Sequence, residues 1–66
     1  MYQRIRDLRD DADLTQTQMA EILKISQATY SRYENGTLDL PTATLIALAD
    51  FHNVSVDYLL GRTDEP

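Results

Sequence analysis

Apolar residues recur three and four positions apart through most of the chain, and no stretch alternates apolar with polar side chains over the length of a strand. The pattern predicts an all-α fold, a compact bundle of five short helices. The first helix is expected from Tyr2 to Ala12, with Ile5, Leu8 and Ala12 on one face and an Arg6, Asp10 pair four apart on the other. Thr15-Gln16-Thr17-Gln18 has the form of a capping box, which opens a second helix from Gln16 to Leu23 and turns Met19, Ala20 and Leu23 inward. Lys24-Ile25-Ser26 interrupts that helix. Ser26 is placed to cap a third, Gln27 to Asn35, which Gly36 stops in the left-handed conformation. After the loop Thr37-Leu38-Asp39-Leu40-Pro41, Thr42 is expected to cap a fourth helix carrying Leu45, Leu48, Ala49 and Phe51. Beyond Asn53, Ser55 caps a last helix, Val56 to Leu60, ended by Gly61. Residues 1–61 read as one domain and residues 62–66 as a polar tail, with no internal repeat, low-complexity tract or linker.

With 66 residues, of which 42% are hydrophobic and 26% charged, the chain has the balance of a folded domain but little room for a catalytic cleft and its supporting shell. A binding module is the expectation, and no enzyme. Cysteine is absent, which excludes disulfides and thiolate metal cages, so stability must come from helix packing or a partner subunit. His52 is the single histidine and has no neighbour at ligand spacing. Asp10, Asp11 and Asp13 lack the glycine and distal glutamate of a calcium loop. Neither a metal nor a cofactor is expected. No apolar run approaches the roughly 18 residues of a membrane span, and the N-terminal sequence has no secretory pattern, which makes the cytoplasm the expected location. The net charge of −5 is unevenly placed: residues 1–13 carry −1, residues 14–37 are neutral, and residues 38–66 carry −4.

The second and third helices, joined by a three-residue turn, have the outline of a helix-turn-helix, whose second helix can enter the DNA major groove while the first crosses the backbone. Around that corner stand Leu14-Thr15-Gln16, Met19-Ala20, Ile25-Ser26-Gln27 and Ser31-Arg32-Tyr33-Glu34-Asn35-Gly36. Asn53-Val54-Ser55-Val56-Asp57-Tyr58-Leu59-Leu60-Gly61 follows. In this order the blocks resemble the Cro/cI-type phage-repressor family, also called the XRE family, over residues 4–61. The resemblance implies a lambda-repressor-like DNA-binding domain. Its expected role is a transcriptional regulator, usually a repressor, that binds a palindromic double-stranded operator as a homodimer. It assigns base contacts to Gln27, Ala28, Ser31 and Arg32, a set suited to adenine, the thymine methyl and guanine. Phosphate contacts are expected from Gln16, Ser26, Asn35, Thr37 and Thr42, by way of hydroxyl, amide and helix N-terminal donors that need no formal charge. Thr29, Tyr30, Arg6 and Lys24 are secondary candidates. Arg9 and Glu34 match the partly buried ion pair that ties the first helix to the end of the third. Ala20 falls where two helices approach closely, and Leu23, Ile25 and Tyr33 fill the space beneath them.

The chain departs from the family at three points. Asp13 and Lys24 stand in turns usually held by glycine, where lysine costs on the order of 1 kcal/mol. Tyr30 replaces a β-branched aliphatic residue, so its hydroxyl is expected to leave the core towards a phosphate. The acidity implies few released counterions and a flat salt dependence. In the last helix Val54, Val56, Tyr58, Leu59 and Leu60 exceed what so short an element can bury. Val56, Tyr58, Leu59 and Leu60 are therefore expected at a homodimer interface, with the core as the alternative place for Tyr58 and Leu59. The rival reading is an interaction module of antitoxin or anti-repressor type that holds a regulatory protein partner. Net acidity favours it, and exposed Gln27, Arg32 and Asn35 disfavour it.

Overall fold

Local capping chemistry sets most helix boundaries. The computed structural model describes residues 3–66, among which it contains five helices and no strand: α1 (Gln3–Asp11), α2 (Gln16–Leu23), α3 (Gln27–Asn35), α4 (Thr42–His52) and α5 (Val56–Leu59). At the start of α2 the Thr15 hydroxyl accepts from the Gln18 N–H at 3.1 Å, and the Gln18 side chain accepts from the Thr15 N–H at 2.8 Å. Ser26 and Ser55 cap α3 and α5 by accepting from the Thr29 and Tyr58 N–H groups at 3.1 and 3.0 Å. Each bond satisfies a donor that a helix start would otherwise leave open.

Three boundaries differ from expectation. Thr42 is the first residue of α4 and not its cap. Pro41 takes the cap position, with an extended backbone and no side-chain bond, while its carbonyl accepts from the Leu45 N–H at 3.0 Å. α1 ends at Asp11, and its expected beginning at Tyr2 lies outside the described residues. The chain turns through Asp13 at φ 58°, which leaves Ala12 exposed and off the core face. Asn53, at φ 57°, stops α4 in the left-handed conformation that asparagine tolerates. α5 closes one residue early, with Leu60 as its C-cap.

Ile5, Met19, Ala20, Tyr30, Leu48, Ala49 and Leu59 form the buried core, with Leu8, Leu14, Leu23, Ile25, Leu40, Val54 and Val56 packed around it. Every helix contributes, so none is stable alone at these lengths. Phe51 is not part of this core. It is 44% exposed on α4, where Ile46 is 50% exposed. Leu59 is only 1% exposed and belongs to the domain's own core, so it is unavailable to a dimer contact.

The C-terminal residues are folded back onto α1. The Arg4 guanidinium lies 4.2 Å from the centre of the Tyr58 ring and donates to the Tyr58 carbonyl at 3.0 Å, to the Thr63 carbonyl, and to the Asp64 carboxylate at 2.7 Å. Among the described residues no helix is long and apolar enough to cross a membrane.

Candidate nucleic-acid interface

α3 divides cleanly into two faces. Tyr30, Tyr33 and Glu34 are buried, whereas Gln27, Ala28, Arg32 and Asn35 are exposed and Thr29 and Ser31 half-buried. Positions 27, 28, 31, 32 and 35 fall on one stripe of a helix, opposite the core. The structure therefore brings together Gln27, Ala28, Ser31 and Arg32 on the outward side of α3. Asn35 and Thr37 follow at its C-terminal end, and both are exposed.

Tyr30 is the exception. Its side chain is fully buried at the centre of the core, and its hydroxyl lies beside Glu34 without an acceptor at hydrogen-bond geometry. Burial, reinforced by the neighbouring carboxylate, pushes the phenol pKa far up. The expectation that this hydroxyl reaches a phosphate is corrected: the ring supports α3 from beneath.

Behind the exposed stripe runs a chain of hydrogen bonds. Arg9 donates to both oxygens of Glu34, from Nε to Oε2 at 2.7 Å and from Nη2 to Oε1 at 3.2 Å. A third guanidinium donor, Nη1, reaches the Leu14 carbonyl at 2.8 Å. Glu34 Oε1 also accepts from Gln16 Nε2 at 3.1 Å, and Gln16 Oε1 accepts from Gln27 Nε2 at 2.8 Å. α1, α2 and both ends of α3 are thus joined through side chains. Burial alone would raise the Glu34 pKa, but the bonds from Arg9 and Gln16 outweigh it and hold the carboxyl below its usual range. The bond to Glu34 in turn raises the Arg9 pKa. Both groups are charged at neutral pH.

Sequence reasoning had placed Gln16 and Gln27 separately at the interface and missed the bond between them. Spacing alone carried no signal for it, since residues 16 and 27 lie on different helices and meet only when α2 and α3 pack.

The remaining candidates differ in what they have free. The Ser26 hydroxyl accepts from the Thr29 N–H and donates to Thr29 Oγ1 at 2.8 Å, which commits its proton and leaves the Thr29 proton available. The first N–H groups of α4, beginning at exposed Thr42, have no side-chain cap and stand open to an anion. Lys24 holds the turn between α2 and α3 at φ 60° with its ammonium exposed, and neither it nor Arg32 forms an ion pair among the described residues. Arg6 lies 3.8 Å from Asp10, a loose exposed pair.

Comparison with known proteins agrees with this arrangement. The profile of the helix-turn-helix family matches residues 5–59. An uncharacterized HTH-type transcriptional regulator of Bacillus subtilis, YobD, is 45% identical over 67 aligned positions, covering 100% of this chain and 60% of the relative. The cryptic phage CTXphi transcriptional repressor RstR of Vibrio cholerae is 41% identical over 96% of this chain and 58% of its own. The antitoxin PezA of Streptococcus pneumoniae is 40% identical over 88% of this chain and 37% of its own. The chain thus spans about three fifths or less of the length of these relatives. A two-faced α3, a capped α2 before it, a left-handed turn between them and a family match that runs from α1 into α5 lead to one assignment: the chain belongs to the helix-turn-helix family, in its Cro/cI or XRE branch.

Proposed function

We propose that this chain is the DNA-binding domain of a transcriptional repressor and that it binds a palindromic operator as a homodimer, with α3 in the major groove. The observation that carries the reading is the outward stripe of α3. Gln27, Ala28 and Arg32 are exposed together while the opposite face is locked into the core. In this reading Gln27 and Arg32 hydrogen-bond base edges, the Ala28 methyl meets a thymine methyl, and Ser31 adds a short polar contact. Gln16, Asn35, Thr37, Thr42 and the α3 cap at Ser26 meet phosphates on either side, with Thr29, Lys24 and Arg6 as supporting groups.

Two copies related by a two-fold axis would set their α3 helices about 34 Å apart, one turn of DNA. With Leu59 inside the core, the apolar groups left for that pairing are half-buried Val56, Tyr58 and Leu60.

A protein-holding role is the second reading. The net charge of −5 and the similarity to an antitoxin favour it. Retardation of the protein's own promoter fragment across a salt series separates the two. The proposal expects sequence-specific retention. With only Arg6, Lys24 and Arg32 as cations at the contact, log affinity against log salt should fall no more steeply than about −3 per domain. Retention no better than on unrelated DNA contradicts the proposal and leaves the partner-holding role.

A further inference from the structure

Glu34 lies inside the domain, its side chain 3% exposed, two hydrogen bonds removed from the outward end of Gln27. We infer that Glu34 is a positioning residue that sets which base Gln27 accepts, by fixing the polarity of its amide through Gln16. The inference rests on the reading that α3 lies in the major groove.

Each step follows from what the groups can donate. A carboxylate has no proton to give, so it can only accept. Gln16 must therefore turn its NH2 end to Glu34, at 3.1 Å, which points its carbonyl oxygen the other way. That oxygen is also only an acceptor, so Gln27 must turn its own NH2 end to Gln16, at 2.8 Å. A side-chain amide is free, in principle, to present either end; here both amides are held in one of their two orientations. Arg9 fixes the first member of the series, because its two bonds keep Glu34 charged and aimed.

Gln27 is left with its carbonyl oxygen and one N–H. This acceptor and donor pair complements adenine, which offers N7 as acceptor and N6–H as donor in the major groove. Guanine offers two acceptors there, N7 and O6. A free glutamine could turn both N–H groups to guanine, but the bond to Gln16 takes one away and brings Oε1 against a guanine acceptor. Glu34 thus writes adenine, and writes against guanine, at a base pair it never touches.

The test compares operators that are identical except for adenine or guanine at the base pair whose preference Gln27→Ala relaxes. The unmodified protein is expected to favour adenine. Gln16→Met removes the middle of the series and leaves both Arg9 bonds to Glu34 in place. It should weaken binding to all sequences through its lost phosphate contact and, in addition, narrow the adenine-to-guanine ratio by on the order of tenfold at that one pair. Glu34→Gln, whose amide can either donate or accept, should narrow the same ratio. Where this variant fails to fold by circular dichroism, Glu34→Asp, which keeps the charge but draws the carboxylate back from Gln16, takes its place and should narrow the ratio as well. A purely structural Glu34 would change overall affinity and leave the ratio as it was. A ratio unchanged in Gln16→Met, beside a relaxed Gln27→Ala, overturns the inference while leaving the α3 reading intact, as does a guanine preference in the unmodified protein. An unchanged profile in Gln27→Ala overturns the reading of Gln27 itself and the inference with it.

Discussion

The α2–α3 corner and the α4–α5 half of the molecule are built by different means. In the corner both helices begin on a side-chain cap, and the one buried carboxylate, Glu34, is met by Arg9 twice and by Gln16. α4 begins on Pro41 without a side-chain bond, ends beside a buried His52 Nε2 that has no partner, and leaves Ile46 and Phe51 in solvent. Leu48, Ala49 and Leu59 hold that half chiefly by apolar burial, with the Ser55 cap and the Arg4 contacts to Tyr58, Thr63 and Asp64 at its far end. Charge divides along the same line, since residues 14–37 are neutral and residues 38–66 carry −4. What sets the corner apart is a series of side-chain bonds through Arg9, Glu34, Gln16 and Gln27 that holds each in one orientation. Nondirectional packing suffices where a helix has only to be present. The surplus of carboxylates falls mainly in the second half of the chain, and the segment that carries α2 and α3 is neutral.

The largest test of this contrast removes one partner of the buried pair. Arg9→Met should cost about 4 kcal/mol by urea denaturation, because it strands the Glu34 charge. Arg9→Met combined with Glu34→Leu should recover much of that loss; equal losses in the single and double variants would mean that the charges do not depend on one another. Next is Leu48→Ala in α4, expected to cost about 3 kcal/mol through a cavity in the core. A loss below about 1 kcal/mol would show that apolar packing is not what holds this half.

The contrast also explains what could be read from the chain. The caps at Thr15, Ser26 and Ser55 and the stop at Gly36 were legible because each acts within a few residues, where spacing alone decides whether the bond can form. The Arg9 and Glu34 pair entered through family resemblance, since nothing local links residues 25 positions apart. Gln16 with Gln27, and Arg4 with Tyr58, Thr63 and Asp64, were not legible, because their proximity is created only when the bundle closes. Tyr30 misled because a hydroxyl suggests a way out to water, whereas the ring fills the centre of the core. The apolar side chains of the last helix divide: Leu59 goes to the domain's own core, the alternative already open for it, while Val56, Tyr58 and Leu60 stay half-buried.

Two finer effects sharpen the comparison. Lys24 carries a left-handed backbone at φ 60° in the corner, so Lys24→Gly should raise stability by about 1 kcal/mol in thermal unfolding; no gain would mean that the turn relaxes without strain. The smallest effect is pH dependence, with one window for each half. Burial lowers the His52 pKa below 6.5, so the unfolded chain binds this proton first, and stability should decline as pH falls below about 6.5. Glu34 is lowered below 4.5, so its contribution is complete above that value and is lost as pH falls through the folded pKa. A His52→Asn variant that keeps the upper decline would remove His52 as its source.

The central claim is that the outward stripe of α3 reads DNA, and its most direct test is the selection of bound sites from random duplexes by the unmodified protein and by Arg32→Ala. The account predicts a defined site for the former and, for the latter, loss of preference at one base pair, a guanine, by about 1–3 kcal/mol with the remaining positions retained. An identical site profile for the two proteins would contradict it.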